Sequence, residues 1–297
     1  MKKEATSVLS EAEKATGLLS SERARALQLA NIARVLSIAG LPKEGASTLQ
    51  HAQKLAQQIP DEDRQGILET IAMAQAEAGQ ISEAIHTLQS LSKQSYHIRG
   101  LLYVGDVQWK NGRYDDAQNT VLTAARLIQN LRGFDLAYSL PELAQAQARM
   151  GIKEQASETL EQAYALAQSD DFQTDIDKEL VSKTFAALGE IAEARKFMPR
   201  AAGLGYCSAL AGIATAEAKA GMKERSLSTL DEAKVALRRI SNDDELRADC
   251  QFDIIRTEAE LGTVTHALKL LDKYSVSEKT PYRVVEALCL IAKALPA

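Results

Sequence analysis

The sequence has few aromatic residues, few prolines and few cysteines. Aromatic residues make up 5% of its 297 residues, and there are 6 prolines and 3 cysteines. The cysteines, Cys207, Cys250 and Cys289, are widely spaced and form no CxxC pair, which is typical of free thiols in a reducing compartment. We therefore expect a cytoplasmic protein without a disulfide framework.

The sequence also lacks a long apolar run and an excess of positive charge. No stretch approaches the roughly 18 apolar residues that a membrane-spanning helix needs, so no membrane partner is expected. The formal net charge is -5 at pH 7, and no run of lysines and arginines is present to attract a polyanion. Binding to nucleic acid is therefore not expected either.

The sequence does contain a pattern that recurs around seven glycines. Successive glycines are 39, 33, 39, 38, 32 and 41 residues apart, which is typical of helical-hairpin repeats. Five residues after each glycine stands a small residue, and eight residues before it stands a large apolar one. Because two helices joined by a short turn cross closely only where side chains are small, the pattern predicts an A helix, a turn and a B helix. The glycines are Gly40, Gly79, Gly112, Gly151, Gly189, Gly221 and Gly262.

The pattern resembles the tetratricopeptide repeat (TPR). That family has units of about 34 residues, with a large-small pair in helix A, a glycine at the turn and an alanine five positions later. Gly112-Arg-Tyr-Asp-Asp-Ala117 is the nearest match. The aromatic residues of the family's A helix are mostly absent, and most intervals exceed the family's length, so the resemblance is to a divergent relative with lengthened B helices. HEAT-like and other α-solenoid classes remain open alternatives.

The resemblance implies an all-α fold, a right-handed superhelical solenoid in which residues 1–297 form a single TPR-like repeat domain. The phase of the pattern predicts about seven helix-turn-helix repeats with a half-repeat at each end, about sixteen helices in all. Residues 284–295 are apolar on more than one face, so we expect that this last stretch either docks on another chain or was once followed by further sequence. Pro141 predicts a kink or a restart within the fourth A helix.

Three local motifs imitate catalytic or ligand-binding signatures without completing them. Residues 61–66 open like a calcium-binding EF-hand loop, but the twelfth position is Ala72 and not a glutamate. Residues 203–205 lack the preceding strand of a dinucleotide site, and residues 90–93 lack the companion motifs of a serine-lysine nucleophile. No two of the 4 histidines have the spacing of metal ligands. We therefore predict no enzymatic activity, no cofactor and no metal site.

The A helices of such a superhelix line its concave groove. Residues six and two positions before each glycine are predicted to point into this groove, and several of them are cations. An aromatic ring beside exposed cations is typical of a peptide-binding hot spot, in which the cations select acidic partners. A solvated charged face, with a tryptophan that packs between repeats, is the open alternative. The predicted peptide-binding residues are Arg34, Tyr103, Trp109, Lys110, Arg149, Lys183, Lys219 and Arg256.

We interpret the sequence as a non-enzymatic scaffold or adaptor that binds a protein or peptide segment, acidic with apolar anchors, in the groove. The alternative is a structural or self-assembling rod, a homo-oligomer joined through its terminal helices. The carboxylate clamp with which some TPR proteins hold chaperone tails is not expected, because no repeat carries the lysine and asparagine that it needs.

Overall fold

The computed structural model describes residues 21–167, 175–199, 204–239 and 244–263, together with Thr16, His266, Ala267 and Lys269. Within these residues the chain is all-helical, with thirteen continuous helices and no β-strand. It divides into two compact units, whose described parts lie in residues 21–130 and 131–269. The prediction of an all-α fold is confirmed.

The described part of unit 1, residues 21–130, consists of three helical hairpins, each with an A helix followed by a B helix. The three A helices pack against one another in chain order. The helices are α1 Glu22–Ile38, α2 Pro42–Ala56, α3 Asp61–Glu77, α4 Ile81–Gln89, α5 Gln94–Lys110 and α6 Tyr114–Ile128.

The residues described in unit 2 form three more hairpins and a seventh A helix. Its four A helices also pack in chain order. The helices are α7 Gly133–Arg149, α8 Lys153–Ala167, α9 Asp175–Ala187, α10 Ile191–Lys196, α11 Leu204–Lys219, α12 Lys223–Arg239 and α13 Asp244–Glu260. The half-repeats expected at the two ends of the chain lie outside the described residues.

Each of the seven repeat glycines ends an A helix in the left-handed region. Their φ angles lie between 72 and 84°. After α1, the backbone N–H of Leu41 donates to the carbonyl of Leu36 at 3.0 Å, and that of Gly40 donates to Ser37 at 3.1 Å. This pair of bonds satisfies carbonyls that the helix end leaves free, and glycine enters the required conformation without a steric cost. The predicted turn is confirmed at every repeat glycine.

The length of the B helix accounts for the uneven glycine spacing. The four long intervals contain the B helices α2, α6, α8 and α12, which have 15, 15, 15 and 17 residues. The two short intervals contain α4, with 9 residues, and α10, with 6. The long intervals therefore come from lengthened B helices, as expected.

The small residues of the repeat lie where the two helices of a hairpin meet. Ala84, Ala117, Ala156 and Ala194 have no exposed surface, and Gly45 takes the equivalent position in the first hairpin. A Cβ atom at Gly45 would lie 2.9 Å from Ser37 Oγ, so even alanine would be tight there. The large-small pattern is thus a packing requirement of the hairpin.

A buried polar pair inside the hairpins was not anticipated from the sequence. A side chain four residues before the glycine accepts a hydrogen bond from the threonine eight residues after it: Thr87 to Gln75 (2.9 Å), Thr159 to Gln147 (2.9 Å) and Thr229 to Glu217 (2.7 Å). In the fifth hairpin Phe185 and Phe197 stack at these positions, with ring centroids 5.1 Å apart. In these four hairpins the two side chains match in polarity, so neither leaves a polar atom of the other unsatisfied. The first hairpin has Leu36 and Thr48 at these positions and does not follow the match.

Two other expectations concern Pro141 and the membrane. Pro141 lies inside α7, which runs continuously from Gly133 to Arg149, so the expected restart of the helix is wrong. Proline removes one backbone donor, and the flanking turns of this 17-residue helix carry the chain past the gap. None of the described helices is both long and apolar enough to cross a bilayer.

Candidate functional site

In unit 1, side chains from three successive A helices meet on one face. A guanidinium nitrogen of Arg34 in α1 donates to Tyr103 Oη in α5 at 3.3 Å, and the Arg34 guanidinium lies 5.8 Å from the centroid of the Tyr103 ring. Tyr103 donates to Glu77 Oε1 in α3 at 2.6 Å. Burial raises the pKa of Tyr103 above its ordinary value, which keeps the phenol protonated as a donor. The first A helix therefore contacts the third directly.

The other two predicted residues of unit 1 have partners within their own hairpin. Lys110 Nζ lies 2.7 Å from Asp106 Oδ2, one turn earlier in α5, and the lysine side chain is 64% exposed. The half-buried Trp109 ring packs edge-on against Tyr114 at the start of α6, with ring centroids 4.6 Å apart. Lys110 is thus available to solvent, whereas Trp109 also serves hairpin packing.

In unit 2, Lys183 of α9 is the centre of a larger polar cluster. Its ammonium group contacts Ser208 Oγ at 2.6 Å, Asp253 Oδ2 at 2.9 Å and Glu179 Oε1 at 3.2 Å. Ser208 donates to the same Asp253 oxygen at 2.7 Å, and a guanidinium nitrogen of Arg256 forms an ion pair with the other oxygen at 3.0 Å. Because an ammonium has three N–H groups, these contacts use every donor of Lys183.

A glycine on the intervening helix lets Lys183 reach this far. Gly212 lies on α11, between α9 and α13, and a Cβ atom there would be 2.9 Å from Lys183 Cγ. The aliphatic part of Lys183 therefore crosses α11 where no side chain obstructs it, and its charge reaches Asp253 on α13. This lysine links three A helices at once.

The charges of this cluster are mutually stabilised. Burial opposes the charged form of Lys183, but the carboxylates of Asp253 and Glu179 outweigh it and raise the pKa of Lys183 above its ordinary value. Burial also opposes ionisation of Asp253, yet Lys183 and Arg256 lower its pKa below the usual range. At neutral pH the lysine is protonated and the aspartate ionised. Lys183 therefore cannot accept the proton of Ser208, and the pair is not arranged as a serine-lysine nucleophile.

The remaining predicted residues of unit 2 have more accessible charges. Arg149 is exposed and donates to Gln145 Oε1 at 3.1 Å. Lys219 is 63% exposed and lies 3.8 Å from Glu260, too far for a hydrogen bond. At these positions of the unit 2 A helices, four cations and four carboxylates leave a formal charge of zero. The cations are Arg149, Lys183, Lys219 and Arg256, and the carboxylates are Glu142, Glu179, Asp253 and Glu260, with Glu142 in the register of Asp253.

The two long contacts share one register. Arg34 and Lys183 each lie six residues before their glycine, and their partners Tyr103 and Asp253 each lie nine residues before the glycine two repeats later. The sequence prediction found both cations but, of the two partners, only Tyr103; it missed Glu179, Ser208 and Asp253. The sequence offered one signal for these partners: the position nine residues before the glycine carries a polar residue in both of these repeats.

The cysteines and the acidic residues at positions 61–66, which were considered as functional residues, lie in a packed core and at a helix end. Cys207 and Cys250 are buried in one core cluster of α11, α12 and α13, and a hydrogen bond with Cys207 together with burial raises the pKa of Cys250 above its usual range. Asp61 and Asp63 occupy the first turn of α3, where acidic groups interact favourably with the helix dipole. No three histidine, cysteine, aspartate or glutamate side chains of the described residues are close enough to hold a metal ion. Cys289 lies outside the described part of the chain.

Comparison with known proteins adds little to this geometry. A scan of protein-family models and a search of curated proteins find no match. Among solved structures, the crystal structure of Ton1535 from Thermococcus onnurineus NA1 aligns with 96% of this chain and 84% of its own. The sequence identity is 16% and the TM-score is 0.37, and nothing about function is inferred from this similarity.

Proposed function

We propose that the chain is a TPR-like α-solenoid with a right-handed superhelical arrangement, and that it acts as a non-enzymatic scaffold binding a protein segment on the faces formed by its A helices. The observation that carries this proposal is the contact between the first and third A helices of three successive hairpins. Arg34 to Tyr103 and Lys183 to Asp253 are such contacts. Each face is therefore one polar surface formed by residues of three repeats. An extended ligand needs a surface of this length.

The contacts divide the predicted residues into two groups with different roles. Arg34, Tyr103 and Lys183 hold the A helices together, and the three donors of Lys183 are already used. Lys110 and Lys219 carry their charges into solvent and are the better candidates for contacting a ligand. Arg149 is exposed on the face of unit 2 and extends this second group, whereas Arg256 pairs with Asp253 and belongs with Lys183.

The net charge of the A-helix faces does not by itself favour an acidic segment in either unit. In unit 1, Arg34 and Lys110 are offset by Glu77 and Asp106. In unit 2, four cations are offset by four carboxylates, so an acidic segment would be attracted only by individual exposed cations. Apolar anchors and hydrogen bonds are therefore expected to supply most of the binding energy.

A display library of short protein segments tests the proposal whatever the partner is. The immobilised chain should recover segments, whose affinities are then measured against Lys110→Glu and Lys219→Glu, one variant for each unit. Lys196→Glu is the matched control, because this lysine is also 64% exposed but lies on the B helix α10. We expect at least one of the two A-helix variants to weaken binding by about tenfold, near 1.4 kcal/mol, while the control binds like the native chain. Recovery of no segment, or equal affinities for all variants, would refute the proposal.

A further inference from the structure

The donors around Asp253 are arranged as a site for a carboxylate. Three different side chains contact it, and their contacts cover both carboxylate oxygens. Lys183 and Ser208 donate hydrogen bonds to Oδ2, at 2.9 and 2.7 Å, and Arg256 forms an ion pair with Oδ1 at 3.0 Å. Both hydrogen bonds are charge-assisted because the carboxylate is ionised, and such bonds are about twice as strong as neutral ones.

This cluster is only partly shielded from solvent. The side chain of Asp253 is 12% exposed, that of Lys183 is 23% exposed and that of Arg256 is 35% exposed. The cations are thus more accessible than the carboxylate they hold. An incoming acidic group can approach from the cation side, while Asp253 occupies the inner position.

We propose that Lys183, Ser208 and Arg256 form a carboxylate-binding site that Asp253 fills in the unbound chain and that an acidic side chain of the bound segment fills in its place. Asp253 is then an autoinhibitory contact. The exchange replaces one carboxylate by another at the two cations and the hydroxyl, so these keep an acceptor throughout. The displaced Asp253, whose side chain is already 12% exposed, turns outward and is hydrated by solvent. This inference rests on the proposed binding of a protein segment to the A-helix face.

The site itself can be tested without any partner, using acetate as the probe. Asp253→Ala removes the internal carboxylate and leaves the three donors in place. About 100 mM acetate should raise the melting temperature of this variant by a few degrees relative to equal chloride, because acetate binds the folded state only. The native chain, whose site is filled, should show no difference between the salts. The double variant Asp253→Ala/Lys183→Met, which lacks a main donor, should likewise show none.

Equal responses of these three proteins to acetate would overturn the proposal, since the site would then bind no free carboxylate. If the alanine variant does not fold, Asp253→Ser replaces it in the same comparison. Serine is uncharged and smaller than aspartate, so it removes the internal carboxylate and leaves space for acetate, and the preference for acetate should persist. A serine variant with no preference for acetate over chloride would also count against the site.

The autoinhibitory role is tested with a glutamate-rich octapeptide. Without the competing carboxylate, Asp253→Ala should bind this peptide about tenfold more tightly than the native chain does, and adding Arg256→Gln should reverse the gain. Unchanged or weaker binding by Asp253→Ala would refute the exchange. Failure of the segment-binding proposal would be seen separately, as a native chain that recovers no segment from the display library.

Discussion

The same substitution at two glycines inside the A helices of unit 1 should have opposite effects on stability. Gly66 lies within α3, and a Cβ atom there would come no closer than 3.8 Å to the Tyr96 ring, an ordinary contact. Gly100 lies within α5, and a Cβ atom there would lie 2.2 Å from one terminal carbon of Leu88 and 3.1 Å from its Cγ. One site has room for a methyl group, and the other has none.

The expected magnitudes follow from helix propensity and packing. Alanine stabilises a helix interior by about 1 kcal/mol relative to glycine, so Gly66→Ala should stabilise the chain by about that amount. Gly100→Ala gains the same term but overpacks the core. Leu88 has no exposed surface, and because its Cγ is too close as well, rotating its terminal carbons cannot relieve the clash. Overpacking costs about 1–3 kcal/mol, and with the upper part of that range we expect a net loss near 1–2 kcal/mol.

Thermal unfolding followed by circular dichroism measures both variants. At about 2 °C per kcal/mol for a chain of this size, Gly66→Ala should melt about 2 °C above the native chain and Gly100→Ala about 2–4 °C below it. Leu88→Ala provides the control, since in that background Gly100→Ala meets no leucine and should stabilise. The reasoning fails if the two glycine variants shift in the same direction, or if the Leu88→Ala background leaves the effect of Gly100→Ala unchanged.

Three further predictions concern other positions. Glu217→Gln should change the free energy of unfolding in urea by less than about 1 kcal/mol, because glutamine accepts the threonine bond at this position in two other hairpins, whereas Glu217→Leu should cost more. Asp253→Asn should reduce the loss of folding stability at acid pH. The pKa of Asp253 is lower in the folded chain than its unfolded value of about 3.9, so the ionised carboxylate stabilises the fold above that value, and this stabilisation is lost as the pH falls through the folded pKa. Gly79→Ala should lower stability by about 1–2 kcal/mol in the same urea assay, because alanine is strained at a φ of 80°, and an unchanged midpoint would contradict this.

The repeat itself could be predicted because its signal is local. A glycine at the end of each A helix, a small residue five positions later and a large one eight positions earlier all act within one hairpin, and the turns and packing follow directly. The phase of the pattern also placed Arg34 and Lys183 correctly on the A helices. Local spacing thus determines the hairpins and the face on which a residue lies.

The polar clusters could not be predicted in the same way, because they depend on contacts between repeats. Lys183 reaches Asp253 over 70 positions of sequence, and it does so only because Gly212 on the helix between them has no side chain. Counting the cations alone therefore overestimated the positive charge of the A-helix faces. Asp106, Glu77 and Glu260 stand in the same two rows as the cations, and Asp253 and Glu179 stand three and four positions before the first row.

The two long contacts join equivalent positions of their repeats, but the residues at those positions differ in chemistry between the two units. In unit 1 the cation of the first A helix meets the phenol of Tyr103, which burial keeps neutral, so this contact itself does not depend on a titrating acceptor. In unit 2 the equivalent acceptor is Asp253, an ionised carboxylate held by two cations. Only a carboxylate can be exchanged for another carboxylate without leaving Lys183 uncompensated. A ligand with an acidic side chain can therefore compete for the contact in unit 2, whereas in unit 1 it would have to displace an aromatic ring that packs against Arg34.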